Sequence, residues 1–288
     1  MLSPQHLLDA LPADLPANLS SAKAACAIAA RIMDLRESAT PPLVGINGAQ
    51  GSGKSTLTRL VGAALELFYG LKPCLLSLDD FYFGKPARYQ LGDKIHRLCE
   101  TRGVPGTHDT ILLLDTLDGL SRAGPEDRTP LPRFDKLDDD RISREDWPEF
   151  TGRPDVILLE GWCVGLRAED LPPFTGPINA LEAAEDPDGA WFAWSLDELT
   201  NEYAQVWDRI ALLVSIEVPD LETVIVSRLK QEQGLSAATG RPGMDRAEVT
   251  RFVQHYERFT RALWAAMPRR ADMLFRRDGA FGFAEAVQ

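Results

Sequence analysis

Apolar strand-like runs alternate with amphipathic helix-like runs along this chain, and a glycine-rich loop joins the first such pair. Together these features predict a three-layer α/β/α sandwich around a mainly parallel sheet. A further observation agrees: Asp79-Asp80 and Glu160 each close an apolar run, at the C-terminal strand ends where open α/β sheets place their sites.

Each element has a local reason. Ser20 to Glu37 reads as an Ala-rich helix, capped by Ser20 or Ser21 and ending before Pro41-Pro42. Residues 1–40 are therefore expected to form a helical extension packed on a core of residues 41–288. Leu43-Val44-Gly45-Ile46-Asn47 is the first buried strand, and Thr56 to Leu67 places Leu57, Leu60, Val61, Ala64 and Leu65 at helical spacing. Between them Gly48-Ala49-Gln50-Gly51-Ser52-Gly53-Lys54-Ser55 fits the phosphate-binding pattern G-x-x-x-x-G-K-[ST], so the sandwich is of the P-loop NTPase type. Pro73 to Leu78 is a second buried strand. Asp109 caps a helix carrying Ile111, Leu112, Leu114 and Leu117, and Gly124 to Pro132 is a polar loop. Asp155 to Gly161 and Ile210 to Ile216 are further strands. A helix follows Pro219 through Glu232, Gly234 to Gly243 is a flexible lid segment, Arg246 to Met267 is a long amphipathic helix, and Ala271 to Phe275 is a last strand.

Composition narrows the function classes. With 43 acidic against 31 basic residues the net charge is -12, which opposes non-specific binding to nucleic acid or anionic lipid and favours small-molecule partners. No run approaches the roughly 18 apolar residues of a membrane span. Cys26, Cys74, Cys99 and Cys163 form no CxxC pair and no metal-ligand spacing, so a reducing cytoplasmic setting is expected.

The loop residues predict the chemistry. Glycines at 48, 51 and 53 let the backbone amides of Ala49, Gln50, Ser52 and their neighbours through Thr56 converge on the phosphates of ATP. Lys54 brings a charge to the transferred phosphate, and the Ser55 hydroxyl faces Mg2+. Glu160 closes its strand as a metal carboxylate opposite Ser55, and Asp79 joins Ser55 and Glu160 in the candidate metal set. One of the Asp79-Asp80 pair can be the catalytic base, since phosphoryl transfer to an alcohol needs a carboxylate within reach of the hydroxyl. Asp80 and Tyr82 are assigned to the acceptor wall.

Leu78-Asp79-Asp80-Phe81-Tyr82, with the loop before it and His108-Asp109 after it, resembles the phosphoribulokinase and uridine kinase group of P-loop kinases. Leu131 to Lys136, Glu160-Gly161-Trp162, Asn179 with Leu181-Glu182, and Gly243-Met244 followed by Phe252 to Arg258 are similar to the D-glycerate 3-kinase family. The resemblance covers about Val44 to Asp272. It implies ATP-dependent phosphorylation of the 3-hydroxyl of D-glycerate, with Asp79 at the catalytic aspartate position. A small anionic acceptor needs cationic donors, for which Arg133, Lys136 and Arg141 are candidates, and His108 and Asp109 are candidates for the substrate hydroxyls. Arg228, before the lid, is the candidate for stabilising the transferring phosphoryl group, and Arg241 is a second lid cation of lesser promise. The residues leave two alternatives open: a kinase for another acceptor, such as pantothenate or a nucleoside, and a nucleotide-hydrolysing switch protein. The absence of an N-K-x-D motif weighs against a GTPase version of the latter. The sequence gives no oligomeric state.

Overall fold

The apolar runs pair into a sheet because each is buried on both faces, which leaves the backbone no solvent to bond with and makes neighbouring strands its partners. A computed structural model describes residues 3–12, 15–35, 40–240, 242–278 and 282–285, and the side chains of all of these except 235, 238 and 285. The sheet strands are β1 (Leu43–Gly48), β2 (Pro73–Ser77), β3 (Val156–Gly161), β4 (Ile210–Glu217), β5 (Met273–Arg277) and β6 (Phe283–Glu285). They lie in the order β6-β5-β4-β1-β3-β2, with every pairing parallel except β5 with β6.

The helices are α1 (Pro4–Ala10), α2 (Leu19–Met33), α3 (Lys54–Tyr69), α4 (Lys85–Lys94), α5 (Thr110–Arg122), α6 (Ala180–Glu185), α7 (Ala190–Glu198), α8 (Leu221–Thr239) and α9 (Arg246–Arg270). Successive strand residues point to opposite faces. Val44, Ile46, Leu158, Val214 and Phe275 therefore meet Ile28 and Ile32 of α2 and Leu57, Leu60 and Val61 of α3. Leu43, Leu76, Ile157 and Leu159 meet Leu113 and Leu117 of α5 and Tyr256, Phe259 and Leu263 of α9 on the other face. The expected three-layer arrangement with a mainly parallel sheet is the one found.

Local departures have simple causes. The cap of α2 is Asn18 rather than Ser20 or Ser21: its side chain accepts from the Ser21 amide at 2.9 Å while the Ser21 hydroxyl accepts from the Asn18 amide, closing a capping box. The stretch from Gly234 to Gly243 is not a loop throughout. Helix α8 continues to Thr239, because one internal glycine costs only about 1 kcal/mol, and it stops where Gly240 takes a left-handed conformation. Strand β2 ends at Ser77, so Asp79 and Asp80 lie in a 3-10 turn, Leu78–Phe81, just beyond the sheet. The antiparallel strand β6 and the helices α1 and α4 have no counterpart in the sequence-based expectation. Arg241 lies outside the described residues.

Candidate active site

The phosphate loop leaves β1 at Gly48 and enters α3 at Lys54. Gly51 and Gly53 have φ of 71° and 91°, and a Cβ at Gly51 would stand 2.4 Å from the Ser227 side chain, so both positions demand glycine. No side chain caps the N-terminus of α3, which leaves its first amides turned toward the loop. That is the arrangement that receives a phosphate.

Beside the loop the strand register gathers oxygen donors. Glu160 pairs across the sheet with Ser77 of β2 and Ile46 of β1. Its Oε1 accepts from the Ser55 hydroxyl at 2.7 Å and from the Ser77 hydroxyl at 3.1 Å, and Lys54 Nζ stands 3.9 Å from its Oε2. Glu160 is buried, yet Oε2 has no hydrogen-bond partner among the described residues. A buried carboxylate with one open oxygen beside a serine hydroxyl is the hard-oxygen donor set that suits Mg2+, which keeps part of its shell for water and phosphate. The residues present thus fit Mg-ATP. Among the described residues no cluster of three or more His, Cys, Asp or Glu side chains forms a self-sufficient metal cage.

Asp79 follows directly. Its Oδ2 accepts from Lys136 Nζ. Burial acts to raise the Asp79 carboxyl, but the charges of Lys136 and Lys54 outweigh it and hold the group well below the ordinary carboxylate range. The Asp79 charge in turn raises Lys136, so both stay ionised.

Asp80 points elsewhere. It accepts from Arg133 Nη1 at 2.5 Å and from the Phe134 amide at 3.2 Å, anchoring the short ribbon in which Phe134–Asp135 pairs with Asp140–Arg141. Burial raises its carboxyl. Arg133, engaged with Asp80, keeps 41% of its side chain exposed. Arg141 is committed to the fold: its guanidinium donates to the Phe81 and Tyr82 carbonyls and to Asp109 Oδ2 at 3.1 Å. The other oxygen of Asp109 accepts from the Leu112 amide at 3.0 Å and caps α5 as expected.

His108 is sealed in. Tyr82 stacks on it at 4.2 Å, and the Tyr203 hydroxyl lies 2.6 Å from Nδ1. Tyr203 also accepts from the Gly106 amide, and Nε2 has no partner among the described residues. Burial pushes the imidazole down to about 3 despite the opposing pull of Asp79. The ring is neutral at pH 7.

Arg228 donates to Glu232 one turn on, and its guanidinium lies 5.0 Å from the Phe252 ring. With Lys136 and Arg102 it lines a cleft of about 530 Å3 between the ribbon, α8 and Gly243-Met244. Of the sequence-predicted residues, the structure thus groups Lys54, Ser55 and Glu160, pairs Asp79 with Lys136, and brings Lys136 and Arg228 to one cleft. It turns Asp80, Asp109 and Arg141 toward structural partners.

Sequence reasoning missed several contributors. Arg102 is held beside the cleft by Asp139, with Trp162 Nε1 bonding the Gly103 carbonyl at 3.0 Å and the Tyr256 hydroxyl bonding the Arg102 carbonyl at 3.1 Å. Asp139 also meets the buried Arg88 at 2.7 Å and has φ of 53°, in the left-handed region that aspartate tolerates. Arg277 of β5 donates to the Gly51 carbonyl at 2.8 Å and braces the loop. Only Ser77 had a legible signal, as a polar residue closing an apolar strand. A cavity of about 650 Å3 near Pro42, Leu117 and Arg209 opens at the N-terminal strand ends, away from these groups.

No family model matches the chain. It is 32% identical over 228 residues to the chloroplastic D-glycerate 3-kinase of Arabidopsis thaliana, covering 75% of this chain and 46% of that protein. The chain thus spans about half of the plant relative's length. It is 30% identical over 223 residues to the uncharacterized kinase mug58 of Schizosaccharomyces pombe, covering 75% of this chain and 78% of that one. Its fold matches the solved D-glycerate 3-kinase of Cryptococcus neoformans with a TM-score of 0.70 at 24% identity, over 92% of this chain and 98% of that one. On these similarities the chain belongs to the D-glycerate 3-kinase family of P-loop kinases.

Proposed function

We propose that this protein transfers the γ-phosphoryl group of ATP to a hydroxyl of a small carboxylic acid, namely the 3-hydroxyl of D-glycerate. The observation that carries the reading is the Asp79–Lys136 pair at the edge of a cleft that Arg102 and Arg228 also line. A carboxylate kept ionised beside the phosphate lysine supplies a proton acceptor, and the surrounding cations suit an anionic acceptor rather than a neutral one.

In this reading the amides of residues 48–56 and Lys54 hold the phosphates, while Ser55 and Glu160 hold Mg2+. The metal supplies charge neutralisation across the phosphate oxygens. Lys136 orients Asp79 and meets the acceptor carboxylate, with Arg102 beside it and Arg133 at the rim. His108, sealed beneath Tyr82, supports the acceptor wall from behind. Asp79 takes the proton of the attacking hydroxyl as its oxygen bonds to phosphorus. Lys54 and the loop amides take up the charge on the oxygen that departs, and Arg228, at the C-terminal half of α8, takes up charge on the phosphoryl group in flight. Asp109 and Arg141 serve by fixing α5 and the ribbon. The four cysteines are free and buried, which suits a reducing, cytoplasmic setting. Among the described residues no helix is long and apolar enough to cross a membrane.

The test is ADP release with Mg-ATP across D-glycerate, L-glycerate, pantothenate, uridine and ribulose 5-phosphate, with the product identified by NMR. Selective formation of 3-phospho-D-glycerate supports the reading. Selective turnover of another acceptor keeps the kinase and replaces its substrate, and acceptor-independent hydrolysis alone would overturn the reading.

A further inference from the structure

Helix α4 buries a single residue, and that residue is Arg88, with 1% exposed. A buried guanidinium is a poor way to dock a helix, because taking the charge out of water is costly and an apolar side chain of similar volume often serves as well. Arg88 Nε has no hydrogen-bond partner among the described residues. The other two nitrogens are fully engaged: Nη1 donates to the Phe83 carbonyl at 3.3 Å, and Nη2 donates to the carbonyl and to Oδ2 of Asp139, at 2.8 and 2.7 Å.

That double grip fixes the backbone and the carboxylate of Asp139 together. Among the described residues Asp139 alone, glycines apart, has a positive φ, and such a conformation persists where its surroundings hold it. Its remaining oxygen, Oδ1, receives Arg102 Nη1, and both guanidiniums lie against the Phe134 ring, 5.5 and 5.4 Å from its centre. Lys136 and Asp139 begin and end the tip that joins the two short strands of the ribbon, and Asp135 Oδ1 folds this tip by accepting from the Leu137 and Asp138 amides at 2.7 and 3.1 Å. One end of the tip therefore brings Lys136 to Asp79, and the other brings Asp139 to Arg102.

We infer that Arg88 and Asp139 are positioning residues for the acceptor: Arg88 locks Asp139, and Asp139 holds one edge of the Arg102 fork so that its other N–H groups are presented to the cleft for a carboxylate. Arg102 donates from its side chain only to Asp139 among the described residues, so most of the fork is left for a ligand. An incoming carboxylate then meets a preset cation and loses no affinity to the ordering of a long side chain. Helix α4, which lines no part of the cleft, thereby sets acceptor affinity. The inference rests on the reading of the cleft as the acceptor site.

The experiment is steady-state kinetics of the full chain, with D-glycerate and ATP varied in turn and urea unfolding alongside. The variants are Arg88→Met, which removes the fork and keeps much of its volume, and Asp139→Gly, which suits the left-handed backbone. Each is made alone and together with Arg102→Ala. The expected result is a KM for D-glycerate about 10-fold higher in each single variant, with kcat and the KM for ATP moving by less than about 2-fold, and no further rise when either is added to Arg102→Ala. Should one variant fail to fold, the other decides, since Arg88→Met leaves Asp139 its pair with Arg102 and Asp139→Gly leaves Arg88 its two carbonyls. An unchanged KM for D-glycerate, an equal rise in both KM values, or a rise that persists in the Arg102→Ala background would overturn the positioning role and leave the acceptor reading standing. A parent protein without D-glycerate-dependent ADP release overturns both.

Discussion

Glu182 and Arg258 meet with 3% and 6% of their side chains exposed, whereas Lys136, which meets Asp79, keeps 53% of its side chain in solvent. Both pairs involve stretches that mark the family in the sequence, yet they are built for different work. Arg258 donates to both oxygens of Glu182 and to the Gly176 carbonyl, clasping α6 to α9, while Asn179 Nδ2 bonds the Gln254 carbonyl beside it. Both oxygens of Glu182 have a partner, and the two charges are buried. The Asp79–Lys136 pair is half open, so its lysine can be shared with an incoming anion. A charge pair shut from water holds a fold, and one facing a cleft is free to exchange partners.

The sharpest way to test this contrast is Asp79→Asn. Turnover should fall by about 10²–10⁴-fold while ATP affinity stays near that of the parent. A parallel loss of ATP binding would make the residue metal-linked or structural. Arg258→Met should do the opposite, costing about 3–5 kcal/mol of stability in urea unfolding because Glu182 is left as a buried unpaired charge. If that variant folded normally but lost turnover, the division between the two pairs would collapse.

Lys136→Ala and Arg102→Ala should each raise the acceptor KM roughly 10–100-fold, from the loss of a charged hydrogen bond of about 1.5–3 kcal/mol, and barely move the KM for ATP. Equal effects on both substrates would remove these residues from the acceptor side.

Acid should weaken the fold in two separate windows. His108 binds its proton at about 3 in the folded chain against 6.5 for an ordinary imidazole, so between those values the unfolded chain holds more protons and stability falls as pH falls. From pH 7 to 5 this amounts to about 2 kcal/mol, at 1.36 kcal/mol per pH unit below the ordinary value. Urea midpoints of the parent and His108→Asn across this range would reveal it, and parallel slopes would show that another group is responsible. Asp79, whose folded value is depressed, contributes stability present above the ordinary carboxylate value and lost only as pH falls toward the folded one. The smallest effect belongs to Arg246, whose pair with Glu222 is exposed on both sides. Arg246→Ala should shift stability by less than about 1 kcal/mol, and a larger change would show that exposure does not rank these pairs.

Much of the fold was legible in the chain because local rules suffice for it. Strands β1 to β4 are continuous apolar runs that can be satisfied only between two layers, and the G-x-x-x-x-G-K-[ST] loop admits one backbone path. Asp109 announces its helix by cap chemistry. The same kind of reasoning stopped α8 too early at Gly234, since one glycine is too weak a breaker, and it gave no warning of β6, a short strand that pairs antiparallel with β5.

What the sequence alone determined is the phosphate loop, the succession of strands β1 to β5 with helices α2, α3, α5, α8 and α9, and the carboxylates at or just after the ends of two of the strands, because each depends on neighbours within one element. Tertiary structure alone decided which of the adjacent Asp79 and Asp80 faces the site, and that Arg141 is consumed by backbone carbonyls while Arg102 is brought to the cleft. It also set Arg88 and Arg102 on the two oxygens of Asp139. Those outcomes depend on where separate elements cross and on which donors remain unspent after the buried backbone has been satisfied, and neither quantity is written in residue spacing.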